Sequence, residues 1–279
     1  MQMTGIHSVR NLVFGSAFLL AALLAGPAGG QQAGSADAEA AELAKKLSNP
    51  IASLISVPIK WSYDTGFGPA DADRNTLIVQ PVIPFSLNDD WNLITRTIIP
   101  YVDMESPVSG GDGESGLADV LASFFFSPKA ATASGWVWGA GPAISVPTAT
   151  EDVLGSEKWA AGPTVVLLKQ QSGWTYGLLA NHLWSVAGDD DRSHTSATFV
   201  QPFLSFTTPK RTTWGINTES TYDWPSGEWT SPVNASVSQL LKLGGKPVSM
   251  AFALRGYAVR PPGGPDWGAS LTFTLLYPK

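Results

Sequence analysis

Side-chain character alternates residue by residue along most of this chain, and that period of two constrains its fold more than any other property. The closing segment, "DWGASLTFTLLYP", is the plainest case. Trp267, Ala269, Leu271, Phe273, Leu275 and Tyr277 share one parity, and Gly268, Ser270, Thr272 and Thr274 the other. Successive side chains of a strand point to opposite faces, so this run is a strand with one apolar and one polar side. "TWGINTESTYDW" sets Trp214, Ile216, Tyr222 and Trp224 against Gly215, Asn217, Glu219 and Thr221. "SLISVPIKWSYD" sets Ile55, Val57, Ile59, Trp61 and Tyr63 against Ser56, Lys60 and Ser62, and in "WNLITRTIIPY" Asn92 and Arg96 lie opposite Trp91, Leu93, Ile99 and Tyr101.

About twelve such segments follow one another, near 53–63, 75–85, 91–101, 117–126, 135–146, 158–168, 173–186, 195–207, 212–223, 229–241, 247–259 and 267–278. Their connections alternate in length. Short turns ("SLNDD", "KQQSG", "TTPKR", "KLGGK") interleave with longer loops ("DTGFGPADAD", "VDMESPVSGGDGESG", "PTATEDVLGSE"). An even strand number with short turns on one side and long loops on the other describes an antiparallel transmembrane β-barrel. The expected fold class is therefore all-β, with residues 53–279 forming the barrel. A soluble β-sandwich also accommodates alternation, but it does not explain the two features that follow.

Tryptophan and charge both sort by side. Trp91, Trp136, Trp174 and Trp214 sit beside short turns, whereas Trp61, Trp159, Trp184, Trp224, Trp229 and Trp267 lie towards the long loops, as two aromatic belts at two membrane interfaces require. Taken as 64–73, 102–116, 147–157, 187–194, 223–228 and 260–266, the long loops carry 16 of the 23 acidic residues, with Arg192 and Arg260 as their bases. Lys129, Lys169, Lys210, Arg211, Lys242 and Lys246 gather at the short turns. Asp189, Asp190 and Asp191 then mark an outward loop tip, where acids keep the loop solvated or share divalent cations with lipopolysaccharide phosphates. They lack the alternating spacing of a calcium loop, so no metal site is expected.

The N-terminus is of another kind. "MQMTGIHSVR" is basic, "NLVFGSAFLLAALL" apolar and "AGPAGG" small, the order of a cleaved signal peptide over residues 1–30. Residues 31–52 read as a short helix stopped by Asn49-Pro50, lying in the periplasm or inserted in the lumen, with 37–48 as a candidate plug.

Candidate chemistry is sparse. The net charge of −6 argues against a nucleic-acid partner, and the absence of cysteine removes thiolate chemistry. No cofactor is expected. Lys60, Arg96, Asp119, Glu219 and Arg255 take the polar parity, with Gln80, Asn217, Asn234 and Ser236. They form either a selectivity ring, in which Arg96 and Arg255 favour anions, or a set of mutually satisfied pairs. His194 and Ser196 stand two apart, the spacing of a His-activated serine on one strand face, which makes a lipid-modifying hydrolase one alternative to a channel, beside a structural outer-membrane protein with a filled barrel. No Gly-x-Ser-x-Gly elbow or orienting third group accompanies them. His182 beside Trp184 reads as interfacial.

The stretches "LAKKLSNPIASLISVP", "VQPVIPFSLNDDWNLITRTIIP", "FFFSPK", "GPAISVPTATEDVLGSEKWAAGPTVVLLKQ", "WTYGLLANHLWSVAGDDD", "NTESTYDW" and "LLYPK" together resemble a bacterial outer-membrane family labelled "transporter" or "neuromedin U", similar to barrels named after the meta pathway of phenol degradation. The resemblance implies an outer-membrane barrel that passes a small solute, with lipid and lipopolysaccharide as its surroundings; it assigns no catalytic or binding residue. Lys279 departs from the terminal aromatic of such barrels, though Tyr277 keeps one near the end.

Overall fold

The computed structural model describes residues 32–278; the signal peptide expected over 1–30 lies outside them. Twelve antiparallel staves follow the helix α1 (Gln32–Leu47). They are β1 (Ile55–Phe67), β2 (Ala72–Val79 and Val82–Ser86), β3 (Trp91–Met104), β4 (Glu114–Leu117 and Val120–Pro128), β5 (Trp136–Val146) and β6 (Lys158–Gln171). β7 (Trp174–Gly188), β8 (Ser196–Thr207), β9 (Thr212–Thr218 and Ser220–Asp223), β10 (Glu228–Leu243), β11 (Lys246–Val259) and β12 (Trp267–Tyr277) complete them. Each stave pairs with its sequence neighbours, and β12 pairs with β1 from Ile55 opposite Tyr277 to Thr65 opposite Trp267. That last ladder closes the barrel and leaves no edge to pair elsewhere.

Three staves are drawn in two pieces, and each interruption lies opposite a proline. Gln80 donates to the Pro58 carbonyl (2.9 Å), Ala118 to Pro100 (2.9 Å) and Glu219 to Pro232 (3.2 Å). Proline has no N–H to return, so at each site the ladder loses the reciprocal bond and the strand breaks, for two residues at 80–81 and 118–119 and for one at 219, with Pro81 itself in the first gap. Two of the short turns need left-handed backbone: Ser172 and Gly173 have φ of 51° and 84°, and Gly244 and Gly245 have 56° and 79°. Both central residues at positive φ define the type I′ hairpin, which suits the twist of the flanking strands.

The strands run further towards the long-loop side than alternation suggests. The 64–73 and 223–228 regions are strand except for residues 68–71 and 224–227, and 102–116 is strand except for 105–113. Pairing of β1 with β2 continues to Phe67 opposite Ala72, so Asp64 and Arg74 are stave residues rather than loop residues.

The apolar parity faces outward, with Trp61, Leu77, Trp159, Trp184, Trp214, Ile216, Phe252, Leu254 and Leu271 all exposed. Ring pairs build the two belts: Trp91 with Trp138, Trp136 with Tyr176 and Trp174 with Phe206 on the short-turn side, and His182 with Trp184, Tyr222 with Trp224 and Trp229, and Tyr63 with Trp267 on the other. Ten residues separate Trp174 from Trp184 along β7. At about 3.4 Å per residue and a tilt of about 40° they span about 26 Å, the height of the apolar band of a membrane barrel.

The interior is asymmetric. On one side Ile94, Phe125, Val166, Leu168 and Leu179 pack together with Val82, fully or nearly fully buried. On the other, β10 to β12 present small polar side chains such as Ser236, Ser238, Ser249, Ser270 and Thr274. Ile51 joins the apolar side, so the chain between α1 and β1 reaches into the lumen. α1 packs Ala40, Leu43 and Ala44 against Ala52, Leu54, Leu240 and Leu276 at the short-turn mouth. Among the described residues no helix is long and apolar enough to cross a membrane, which says nothing of the strands.

Candidate lumen site

Lys60, Glu219 and Arg255 meet across the lumen as their shared parity predicts. Lys60 Nζ lies 3.8 Å from Glu219 Oε1, and Arg255 Nη2 lies 3.1 Å from Glu219 Oε2. The other end of the Arg255 fork reaches Asp64 (Nη1 to Oδ1, 3.2 Å), and Arg74 lies 3.6 Å from the same carboxylate. Tyr257 donates its hydroxyl to Asp64 Oδ1 at 2.8 Å. Arg255 Nε donates to Asn234 Oδ1 (2.9 Å), and Asn234 Nδ2 donates to Asn217 Oδ1 (3.0 Å), which leaves the Asn234 side chain buried and engaged. Arg74 also covers the Phe67 ring, 4.5 Å from its centroid.

These groups form a belt one layer in from the long loops. Asp64 is 1% exposed, and a carboxylate so far from water is tolerable only with this many donors. Asp64, Arg74 and Tyr257 escape a reading of the sequence that ends β1 at Tyr63, although Asp64 continues the parity of Lys60 and Ser62.

Arg96 and Asp119 stand apart from the belt. Arg96 Nη2 donates to Gln80 Oε1 at 3.4 Å, with no carboxylate within ion-pair distance among the described residues. Asp119 falls at the break in β4, out of the alternation. Its carboxylate accepts from Ala149 N (3.2 Å), Ser156 N (2.8 Å) and Ser156 Oγ (2.7 Å), tying down the 147–157 loop instead of facing the lumen ring.

Below the belt, on the short-turn side, lies a cavity of about 370 Å³. Its place follows from strand register: Ser56 and Pro58 precede Lys60 on β1, Asn217 precedes Glu219 on β9, and Ser236 and Ser238 follow Asn234 on β10. Residues Ala44 to Leu54 supply its floor. The floor is held by Ile51 in the apolar cluster, by Asn92 Nδ2 donating to Ser53 Oγ (2.9 Å) and by Gln170 Nε2 donating to the Lys45 carbonyl (2.8 Å).

The His194 ring bonds to Ser185, its Nδ1 lying 3.3 Å from Ser185 Oγ, while Ser185 Oγ accepts from Thr195 N. Ser196 begins β8 opposite Trp184, and its hydrogen bond is a backbone one, from Trp224 N to its carbonyl. His182 faces outward, its Nδ1 2.7 Å from Thr198 Oγ1 and its ring 4.0 Å from that of Trp184. The described residues hold no group of three or more acidic or histidine side chains placed for a metal ion.

A closed twelve-stave barrel with outward aromatic belts and a charged, partly polar lumen is the fold of an outer-membrane β-barrel. Within that class, the family described as "Putative MetA-pathway of phenol degradation" matches residues 68–235, and the chain belongs to it. Among solved structures it is similar to an outer-membrane channel of Pseudomonas putida F1, at 14% identity and a TM-score of 0.65, over 81% of this chain and 96% of that one. It is also similar to outer membrane phospholipase A of Escherichia coli, at 9% identity and a TM-score of 0.51, over 78% of this chain and 89% of that one. No curated protein sequence matches it.

Proposed function

We propose that the protein is a passive channel for a small solute in the bacterial outer membrane, closed at rest on its short-turn side by α1 and residues 48–54. The observation that carries this reading is the cavity itself. It is lined by the inner faces of the barrel wall yet floored by a segment that is no part of the wall and is tied to it by two side-chain hydrogen bonds and one inserted isoleucine. A barrel filled for stability alone has no need of hydroxyls and amides around open space, because unfilled polar surface contributes no packing. Similarity to the Pseudomonas channel supports the same reading, and the bond from His194 to Ser185 rather than Ser196 gives the hydrolase reading no support.

The belt acts as the filter on the far side of the cavity. Lys60, Arg74 and Arg255 face Asp64 and Glu219, and Arg96 adds a further cation just below, so bases outnumber acids along the path. Charge of one sign at a constriction selects ions of the other. The acidic long loops, including Asp189 to Asp191, face lipopolysaccharide and share divalent cations with its phosphates.

Planar-bilayer recording of the mature chain, beside the same chain lacking residues 31–52, tests the proposal. The expected result is a quiet intact protein and stepwise conductance after deletion. Silence from both, with folding confirmed by a heat-dependent gel shift, would make the barrel a filled structural one.

A further inference from the structure

The cavity below the belt has a composition that identifies its occupant, given the reading of the lumen as a solute path. Arg96 lines it within and Lys46 towards the mouth, where Arg211 also stands but is engaged by another group, and no carboxylate lines it among the described residues. The carboxylates of the lumen are instead spent in the belt, where Glu219 is engaged by Lys60 and Arg255 and Asp64 by Arg74, Arg255 and Tyr257. Arg96 lines the open space, and its Nη2 donates to Gln80 Oε1 at a long 3.4 Å. A planar fork of donors matches a carboxylate through two parallel hydrogen bonds.

The cavity wall is also two-faced. Val82, Leu179 and Phe203 give it one apolar flank continuous with the packed side of the lumen, while Ser236, Ser238 and Ser249 face them from β10 and β11. Binding sites for small molecules combine a largely apolar wall with a few polar groups that fix orientation, and about 370 Å³ is at the small end of their range. An inorganic anion would leave the apolar flank unused, and a neutral sugar would leave the cation unmatched. We infer that this is a binding site for a small organic carboxylate with an apolar body, its carboxylate on Arg96 and its body against Leu179 and Phe203.

Equilibrium dialysis of the detergent-solubilised mature protein against radiolabelled benzoate tests the site without requiring flux. Benzamide, the neutral isostere, and acetate, which lacks the body, serve as competitors. Both are expected to compete at least tenfold more weakly than unlabelled benzoate. Arg96→Gln should abolish that preference, and Ser238→Glu, which places a carboxylate in the cavity from another stave, should do the same, each with the heat-dependent gel shift of a folded barrel. Equal competition by benzamide, or benzoate binding unchanged in folded Arg96→Gln, overturns the inference; if one variant does not fold, the other and the competition series decide it. Benzoate binding with no conductance before or after deletion of 31–52 would keep the site and remove the channel. Conductance without benzoate binding would do the reverse.

Discussion

At the residue scale the belt rests on Asp64. One buried carboxylate serves Arg74, Arg255 and the Tyr257 hydroxyl, whereas Arg260 and Asp266 pair in the open, with side chains 41% and 53% exposed. Removing one partner of a buried ion pair leaves the others charged and short of acceptors, a loss of about 3 to 5 kcal/mol, while an exposed pair contributes below about 1 kcal/mol. Asp64→Asn should therefore lower the urea unfolding midpoint of the refolded barrel far more than Arg260→Ala does, and equal midpoints would refute the network. Lys60, Glu219 and Arg255 were legible because alternation alone puts them on one face. Asp64 carries the same parity but sits where acids and glycines suggest a loop, and Asp119 has the parity without the geometry because the ladder breaks at its position.

At the scale of the strand, the number of staves follows from period and turn chemistry, and the Ser172-Gly173 and Gly244-Gly245 turns are visible as such. The break in β2 carries Pro81 in its own sequence, but those at 118–119 and 219 were not legible, since the proline there lies on the neighbouring stave and only the register reveals which residue it faces. Close approach is equally a matter of register. A Cβ at Gly162 of β6 would fall on the carbonyl oxygen of His182 in β7, and one at Gly141 of β5 on that of Phe124 in β4, whereas Gly256 of β11 has open space on its outer face. Backbone cannot step aside as a flexible side chain can, so the strands would have to part. Gly162→Ala is expected to cost above about 4 kcal/mol and to leave most of the protein without a heat-dependent gel shift, while Gly256→Ala refolds like the parent. Refolding of Gly162→Ala at parental yield would show that this stretch of the β6–β7 ladder is slack.

At the scale of the whole molecule, the barrel and its floor are separable in a way that composition suggests only in part. The Ala- and Lys-rich run closed by Asn49-Pro50 announces a helix, but nothing in its pattern says that Ile51, four residues past the helix end, reaches among Ile94, Phe125 and Val166. That contact depends on the lumen having an apolar side, which no single strand displays. Cooperative stability in a closed barrel comes from the ladder, and the ladder here runs through all twelve staves without α1. Losing residues 31–52 removes the burial of Ile51, Ala52 and the helix face, but water can enter the emptied lumen, so no sealed void is left behind. The deleted form should keep its strand circular dichroism, its gel shift and a single unfolding transition, with a midpoint modestly below that of the parent. Failure of the deleted form to fold would make the segment a structural core rather than a gate, and a filled barrel would then account for the lumen better than a channel does.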